Sequence, residues 1–201
     1  MNSLTPLLFL TTISQQYMKK MLTSFALSFL CLVASAQNKR FFDLQLDPTP
    51  FFLQGYAAEL GYNHNRHRLY ITGVSYTVPE FLKEDKNFDE KRKLIAGLGY
   101  QYYFKKPQNG FYVGISVLNT WADFTNPSTG NAVSLTTIRT SGRIGYVLYP
   151  IKQWKRFFIN PWMGPYYQIA PESAIIDGLQ LKRKNFSYTL AIQIGFNIYK
   201  K

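Results

Sequence analysis

The chain of 201 residues carries 23 Lys and Arg against 11 Asp and Glu, a net charge of +12, and 17% of it is aromatic, mainly 15 Tyr and 16 Phe. A single cysteine, Cys31, excludes a disulfide framework. No stretch beyond residue 36 is apolar over the roughly 20 residues that a spanning helix needs. The basic balance would suit nucleic acid, but the leader described next exports the chain, so no nucleic-acid partner is expected.

Lys19 and Lys20 form a positive segment, Met21 to Val33 an apolar one, and Ala34-Ser35-Ala36 a small-residue cleavage site. This is the pattern of a secretory signal peptide over residues 1–36, cleaved after Ala36. Met1 to Tyr17 reads as an extension upstream of a start at Met18. Cys31 lies inside the apolar segment after Ser28-Phe29-Leu30, which does not suit lipid attachment. Removing Lys19 and Lys20 leaves 21 basic and 11 acidic residues in the mature chain, a net charge of +10. Many of the basic residues fall at expected strand ends and turns: Arg66, Arg68, Lys105, Lys106, Lys152, Lys155, Arg156, Lys200 and Lys201. Such positions suit an interface with lipid headgroups.

From residue 41 onward the side chains alternate with a period of two, the mark of a strand with two unlike faces. The first strand, Phe41 to Asp47, sets Phe42, Leu44 and Leu46 against Asp43, Gln45 and Asp47, and Pro48-Thr49-Pro50 breaks it. Gly55 to Asn63 sets Tyr56, Ala58, Leu60 and Tyr62 against Gly55, Ala57, Glu59 and Gly61. After the tight turn Asn63 to Arg66, His67 to Val78 sets Tyr70, Val74 and Tyr76 against Gly73, Ser75 and Thr77. A charged loop, Pro79 to Arg92, precedes Lys93 to Phe104, where Leu94, Leu98, Tyr100, Tyr102 and Phe104 oppose Gly97, Gly99 and Gln101.

A turn over Lys105 to Gly110 leads to Phe111 to Phe124, in which Phe111, Val113, Ile115, Val117 and Trp121 oppose Tyr112, Gly114, Ser116 and Thr120. Val133 to Tyr149 follows, with Ile138, Ile144, Tyr146 and Leu148 opposite Thr137, Arg139, Ser141, Arg143 and Gly145. Arg156 to Ile169 contains Pro161 and Pro165, which remove ladder donors and predict a bulge or kink.

The last strand, Phe186 to Tyr199, is the most regular. Phe186, Tyr188, Leu190, Ile192, Ile194, Phe196 and Ile198 share one face, and Ser187, Thr189, Ala191, Gln193, Gly195 and Asn197 the other. The rise from Phe186 to Phe196 is about 33 Å, or about 25 Å of height at a tilt of roughly 40°. That is the height of an outer-membrane apolar band, with an aromatic near each rim. The bulky rows are therefore expected to face lipid and the small and polar rows a narrow lumen. Connections after the second, fourth and sixth strands are short, and those after the third, fifth and seventh longer. This alternation predicts an all-β, eight-stranded antiparallel up-and-down transmembrane β-barrel over residues 37–201.

Three features carry a resemblance: the leader ending Ala34-Ser35-Ala36, strand segments such as Gly97-Leu98-Gly99-Tyr100, and the terminal Gly195-Phe196-Asn197-Ile198-Tyr199, after which Lys200 and Lys201 follow. In these the mature chain resembles the small single-domain outer-membrane β-barrels of Gram-negative bacteria, of the OmpA/OmpX type. The resemblance implies location in the outer membrane, contact with its lipid, and recognition of the C-terminal strand by the assembly machinery.

The charges on the inward rows are Asp43, Asp47, Glu59, Arg139 and Arg143. Eight strands enclose room for side chains or one small ligand, not an aqueous pore. Charges in so narrow a lumen must pair, so an ion pair from Glu59 to Arg139 or Arg143 is expected, either as a gate on an ion path or as a structural network. Lipid-modifying enzymes of this fold use His with Ser and an acid, whereas His64 and His67 both fall at a short turn without an adjacent Ser. Catalysis, a bound cofactor and a metal site are accordingly not expected. The loop Glu80 to Arg92, rich in both signs with Phe81 and Leu82, is a candidate for a surface partner or ligand. The expected role is thus structural, surface-interacting or accessory to assembly. A lipid A acyl hydrolase or acyltransferase is one alternative, and a soluble lipocalin-like barrel with its bulky rows turned inward is another.

Overall fold

The computed structural model describes residues 40–198 except 106–107, 152, 154–155 and 170–173. The expected signal peptide with Cys31, and Lys106, Lys152, Lys155, Tyr199, Lys200 and Lys201, lie outside the described residues. Eight long antiparallel strands close into a barrel: β1 (Arg40–Leu46), β2 (Tyr56–His64), β3 (His67–Thr77), β4 (Asp89–Tyr103), β5 (Gly110–Thr125), β6 (Ala132–Val147), β7 (Phe157–Ile169) and β10 (Phe186–Ile198). Each pairs with its neighbour in sequence, and β1 closes the cylinder against β10. A short hairpin of β8 (Ile175–Ile176) and β9 (Leu179–Gln180) lies in the last connection. This is the architecture that the alternating rows and the resemblance implied.

The connections β2 to β3, β4 to β5 and β6 to β7 lie at one end, called here the turn end. The connection from β1 to β2, with its one-turn helix α1 (Thr49–Phe52), lies at the other, the loop end. A Pro-rich segment can open a helix because its missing N–H would have no intrahelical partner there. The hairpin between β2 and β3 turns on Asn65 with φ 56°, a left-handed conformation that Asn tolerates.

The alternating rows decide what faces outward. On β10, Leu190, Tyr188 and Ile192 are exposed, whereas Ala191, Gln193 and Asn197 are buried. The same holds around the wall, where Leu98, Ile115 and Ile144 point out and Gln45, Gln101 and Asn160 are fully buried. On β3 the faces are the reverse of the sequence reading. Arg68 and Tyr70 are buried and Ile71 is 53% exposed, because pairing with β2 sets Tyr70 opposite inward Gly61 and Thr72 opposite inward Glu59. Arg68, read from sequence as interfacial, is thus the most deeply buried cation among the described residues.

β4 starts at Asp89, so the charged loop ends earlier than Arg92. A register shift between Arg92 and Leu94 changes the parity of the strand, so that Glu90 and Arg92 point inward before it and Ile95 and Gln101 after it. On β7 the prolines act differently from the expected bulge. Its pairing with β6 keeps one register throughout and has gaps where Pro161 and Pro165 lie, while the ladder to β10 runs unbroken.

Inward aromatic rings fit because glycine stands beside them. A Cβ built on Gly99 would lie 2.0 Å from the Tyr70 ring, on Gly145 2.4 Å from the Tyr112 ring, and on Gly195 2.1 Å from the Phe158 ring. Replacement of Gly195 by Val should therefore destabilise the barrel by about 1–3 kcal/mol through overpacking. Adding Phe158→Leu to that variant should recover part of the loss, measured by urea unfolding of the protein in lipid vesicles.

Candidate functional site

The lumen is filled by side chains in three levels. At the turn end Tyr103, Tyr112, Val147 and Phe158 form a buried cluster with Tyr149 and Trp162 against it. At the loop end a second cluster gathers Phe88, Ala122, Phe124, Leu135, Ile176 and Leu181. Between them lies a polar middle whose hub is Arg68.

Arg68 Nη2 and Nε donate to Asp43 at 2.8 and 2.9 Å, and its Nη1 donates to Glu59 at 3.1 Å and to Gln101 at 3.3 Å. Glu59 in turn accepts from Arg143 Nη2 at 2.9 Å and Nη1 at 3.2 Å. Two acids and two arginines thus make a neutral chain, with the fork-to-carboxylate geometry that strengthens such contacts. In the cyclic strand order β2 and β6 are on opposite walls, so the pair of Glu59 and Arg143 spans the lumen. Amides complete the cluster. Asn63 and Gln45 donate to Asp43, Asn160 donates to Gln45 at 2.8 Å, and Tyr112 donates to Asn160 at 3.0 Å. The Arg143 guanidinium also stacks 3.9 Å from the Trp162 ring and 4.9 Å from that of Tyr70.

Of the residues singled out in sequence, Asp43, Glu59 and Arg143 are brought together. Asp47 is not: it lies beyond the end of β1, half-buried, and accepts from the Thr49 N–H at 2.9 Å as the chain turns into α1. Arg139 is buried but pairs with no carboxylate among the described residues; it stacks 5.0 Å from the Tyr166 ring. The reason for Arg143 rather than Arg139 is stagger. Following paired residues from Glu59 through Thr72, Gly97 and Leu118 leads to Arg139. Closing a barrel requires tilted strands, so that row climbs as it goes round, and the group across the lumen is Arg143, two inward positions nearer the turn end. Arg68 was missed because its neighbours in sequence look interfacial. Its even spacing from Tyr70, with Asn63 opposite across the turn, was the available signal.

At the loop end the connections hold one another. Glu84 accepts from Gln168 at 3.1 Å and from the Lys184 N–H at 3.0 Å, and Asp85 from the Lys182 N–H at 2.9 Å. Arg183 donates to Thr137 and to Gln168, each at 2.7 Å, over the mouth of the lumen. The segment expected to bind a partner thus spends Glu84 and Asp85 on contacts within the chain, while Phe81 remains 82% exposed. Asp177 ties the β8–β9 hairpin to the β5–β6 loop. Thr129 and Asn131, then Asn126, donate to its carboxylate and hold its pKa below the ordinary value. His64 and His67 are paired across the β2–β3 turn, and His67 Nδ1 lies 2.6 Å from the Tyr100 hydroxyl on the outer face.

No protein-family model matches the chain, and no curated protein matches it in sequence. Among solved structures, the chain is similar to the N-terminal β-barrel domain of Pseudomonas aeruginosa OprF, with 14% identity and a TM-score of 0.48 over 82% of this chain and all of that one. It is also similar to Neisserial surface protein A, with 12% identity and a TM-score of 0.43 over 80% of this chain and 96% of that one.

Two outcomes follow from the geometry. Glu59→Leu strands Arg143 and one arm of Arg68 and should cost about 3–5 kcal/mol, whereas Glu59→Leu with Arg143→Met, which removes both charges, should cost clearly less; urea unfolding in lipid vesicles compares them. Because the Asp177 carboxyl is held below its ordinary pKa, the loop contact it makes is complete above that ordinary value and is lost as the pH falls through the lowered one. Protease cleavage between residues 126 and 131 should accelerate at acid pH with an acid-stable protease, and Asp177→Asn should show the faster rate already at neutral pH.

Proposed function

We propose that the chain is an integral outer-membrane barrel with a structural or surface-interacting role, whose lumen is a sealed brace rather than a pore or a catalytic chamber. The observation that carries this is the inversion of the usual distribution of side chains. Arg68, Asp43, Gln45, Gln101, Asn160 and Gln168 are fully buried, whereas Leu190, Ile115, Leu98, Ile144 and Met163 are each more than half exposed. In water such an exterior would be an aggregating surface; beside lipid chains it is the favoured one, and the closed ladder leaves no backbone edge unpaired.

Aromatic rims support the same reading. At the turn end Phe42 and Tyr62, Phe111 and Tyr146, and Phe157 and Phe196 make outward ring pairs with centroids 5.4, 4.6 and 5.4 Å apart. At the loop end Tyr56, Trp121, Tyr167, Phe186 and Tyr188 are exposed on the outer face. Two girdles flanking an aliphatic belt fit the two interfaces of a bilayer. By the same rule the short turns, the start of β1 and the end of β10 would face the periplasm, and the longer connections the outside.

The alternatives draw less support. A lipocalin-like barrel needs an apolar interior, and the middle of this one is ionic. A lipid-modifying enzyme working at the outer leaflet needs its His near the loop end, and His64 and His67 are at the turn end. Electrophoresis of the membrane fraction in SDS, unheated against boiled, tests the proposal. A heat-dependent shift in mobility is expected, with no steady conductance when the purified protein is inserted into planar bilayers. Recovery in the soluble fraction without a shift would overturn the membrane assignment, and a stable conductance would overturn the sealed lumen.

A further inference from the structure

Four arginines are buried on the inward rows of the described strands, Arg68, Arg92, Arg139 and Arg143, against three acids, Asp43, Glu59 and Glu90. Arg68 and Arg143 share Asp43 and Glu59, and Arg92 Nε holds Glu90 at 2.7 Å. Arg139 is left over. It is 4% exposed, its Nε and Nη2 donate to no acceptor among the described residues, and the charges acting on it are Arg92, of the same sign, and Glu90, which Arg92 already holds. Burying a guanidinium without a counter-charge is among the costliest arrangements a fold can contain.

The surroundings of Arg139 are also short of acceptors. Thr120 is 1% exposed and stands directly opposite Thr137 in the β5–β6 ladder, and its hydroxyl has no partner. Thr137 is the next inward residue to Arg139 on β6, and its own hydroxyl accepts from Arg183 Nη1. Arg183 Nε is a further buried donor without an acceptor. Gln168, paired with Arg139 across the β6–β7 ladder, already accepts from Arg183 through its Oε1 and donates its amide to Glu84 and the Lys184 carbonyl. Around Thr137 the strands and the last connection therefore gather unsatisfied N–H groups and one free hydroxyl, with one excess positive charge on the inward rows and the Arg183 guanidinium beside it.

We propose that Arg139, with the Thr120 hydroxyl and Arg183 Nε, forms a binding site for one small monovalent inorganic anion in the outer half of the lumen. One negative charge neutralises the inward rows, and Arg183 has the charge of Glu84 acting on it, so the site takes a monovalent anion. The donor set sets the chemistry: guanidinium N–H groups and a hydroxyl suit a halide or nitrate, which needs donors only. Arg183, half-buried at the mouth, stands between this site and the solvent at the loop end. The bound anion would act as a structural counter-ion, completing the outer half of the lumen as Glu59 completes the middle.

Bromide is the probe. The full chain, folded in detergent micelles, is heated at fixed ionic strength while bromide replaces gluconate, an anion too large for the site, and the midpoint of its gel shift is recorded. The midpoint should rise by several degrees with bromide, as expected when an ion binds the folded state alone. Arg139→Met should abolish that rise. Glu90→Gln, which frees the charge of Arg92, should enlarge it. Crystals grown in bromide should show an anomalous peak within hydrogen-bond reach of Arg139 Nε or Nη2. An absent rise in the wild type, or a rise equally large in Arg139→Met, would overturn the proposal, the latter because the ion would then act elsewhere. If Arg139→Met does not fold, Glu90→Gln decides: an enlarged rise supports the site and an unchanged one overturns it.

Discussion

The ion pair that crosses the lumen from Glu59 on β2 to Arg143 on β6 is the contact on which the rest of the interior depends. A cylinder of eight strands is held around its circumference by backbone hydrogen bonds, but nothing in that ladder resists flattening. A charged pair that joins opposite walls does, and it works only when every other polar group near it is satisfied. Asp43, Arg68, Gln45, Asn160 and Tyr112 supply that satisfaction, passing hydrogen bonds from one wall to the next. In a medium of low polarity each such bond is stronger, and each missing one costlier, than at a water-exposed surface.

Space inside the barrel is as constrained as charge. Gly61 leaves room for Arg68 and Asp43, since a Cβ there would lie 2.3 Å from Arg68 Nε. Gly99, Gly145 and Gly195 do the same for the rings of Tyr70, Tyr112 and Phe158. Glycines in strands usually weaken them; here they are the complement of large inward side chains on neighbouring strands. The turn end is closed by rings seated in this way, and the loop end by an apolar cluster under connections that Glu84, Asp85 and Asp177 tie together. The loop-end half of the lumen differs from the middle in that, among the described residues, its buried arginines outnumber its buried acids, and Arg139 is where that imbalance concentrates.

Strand number, order and the outward row were legible because period-two alternation is a local property. Phe186 to Ile198 announces its two faces without reference to any other part of the chain, and β5, β6 and the regular part of β4 do likewise. The reading failed on β3, where Tyr70 and Tyr76 are bulky but inward. Size alone does not mark the outward row there, since pairing with Gly61 and Gly99 turns the Tyr70 ring into the lumen. It failed in a second way on Asp47, which shares the parity of Asp43 and Gln45 but falls past the end of the strand. The change of parity at Lys93 was also invisible, since a register shift leaves no mark on composition.

What the sequence alone determined is the wall: eight alternating segments, a belt of aliphatic side chains between aromatic rims, and a polar inward row containing Asp43, Glu59, Arg139 and Arg143. What only the tertiary structure decided is which of those inward groups meet. Tilt and stagger carry each row of paired residues along the axis as it passes round the cylinder, so the partner of Glu59 lies two inward positions from where the ladder alone would put it. That displacement is a property of the closed barrel as a whole. It separates Arg143, which completes the brace, from Arg139, which pairs with no acid among the described residues.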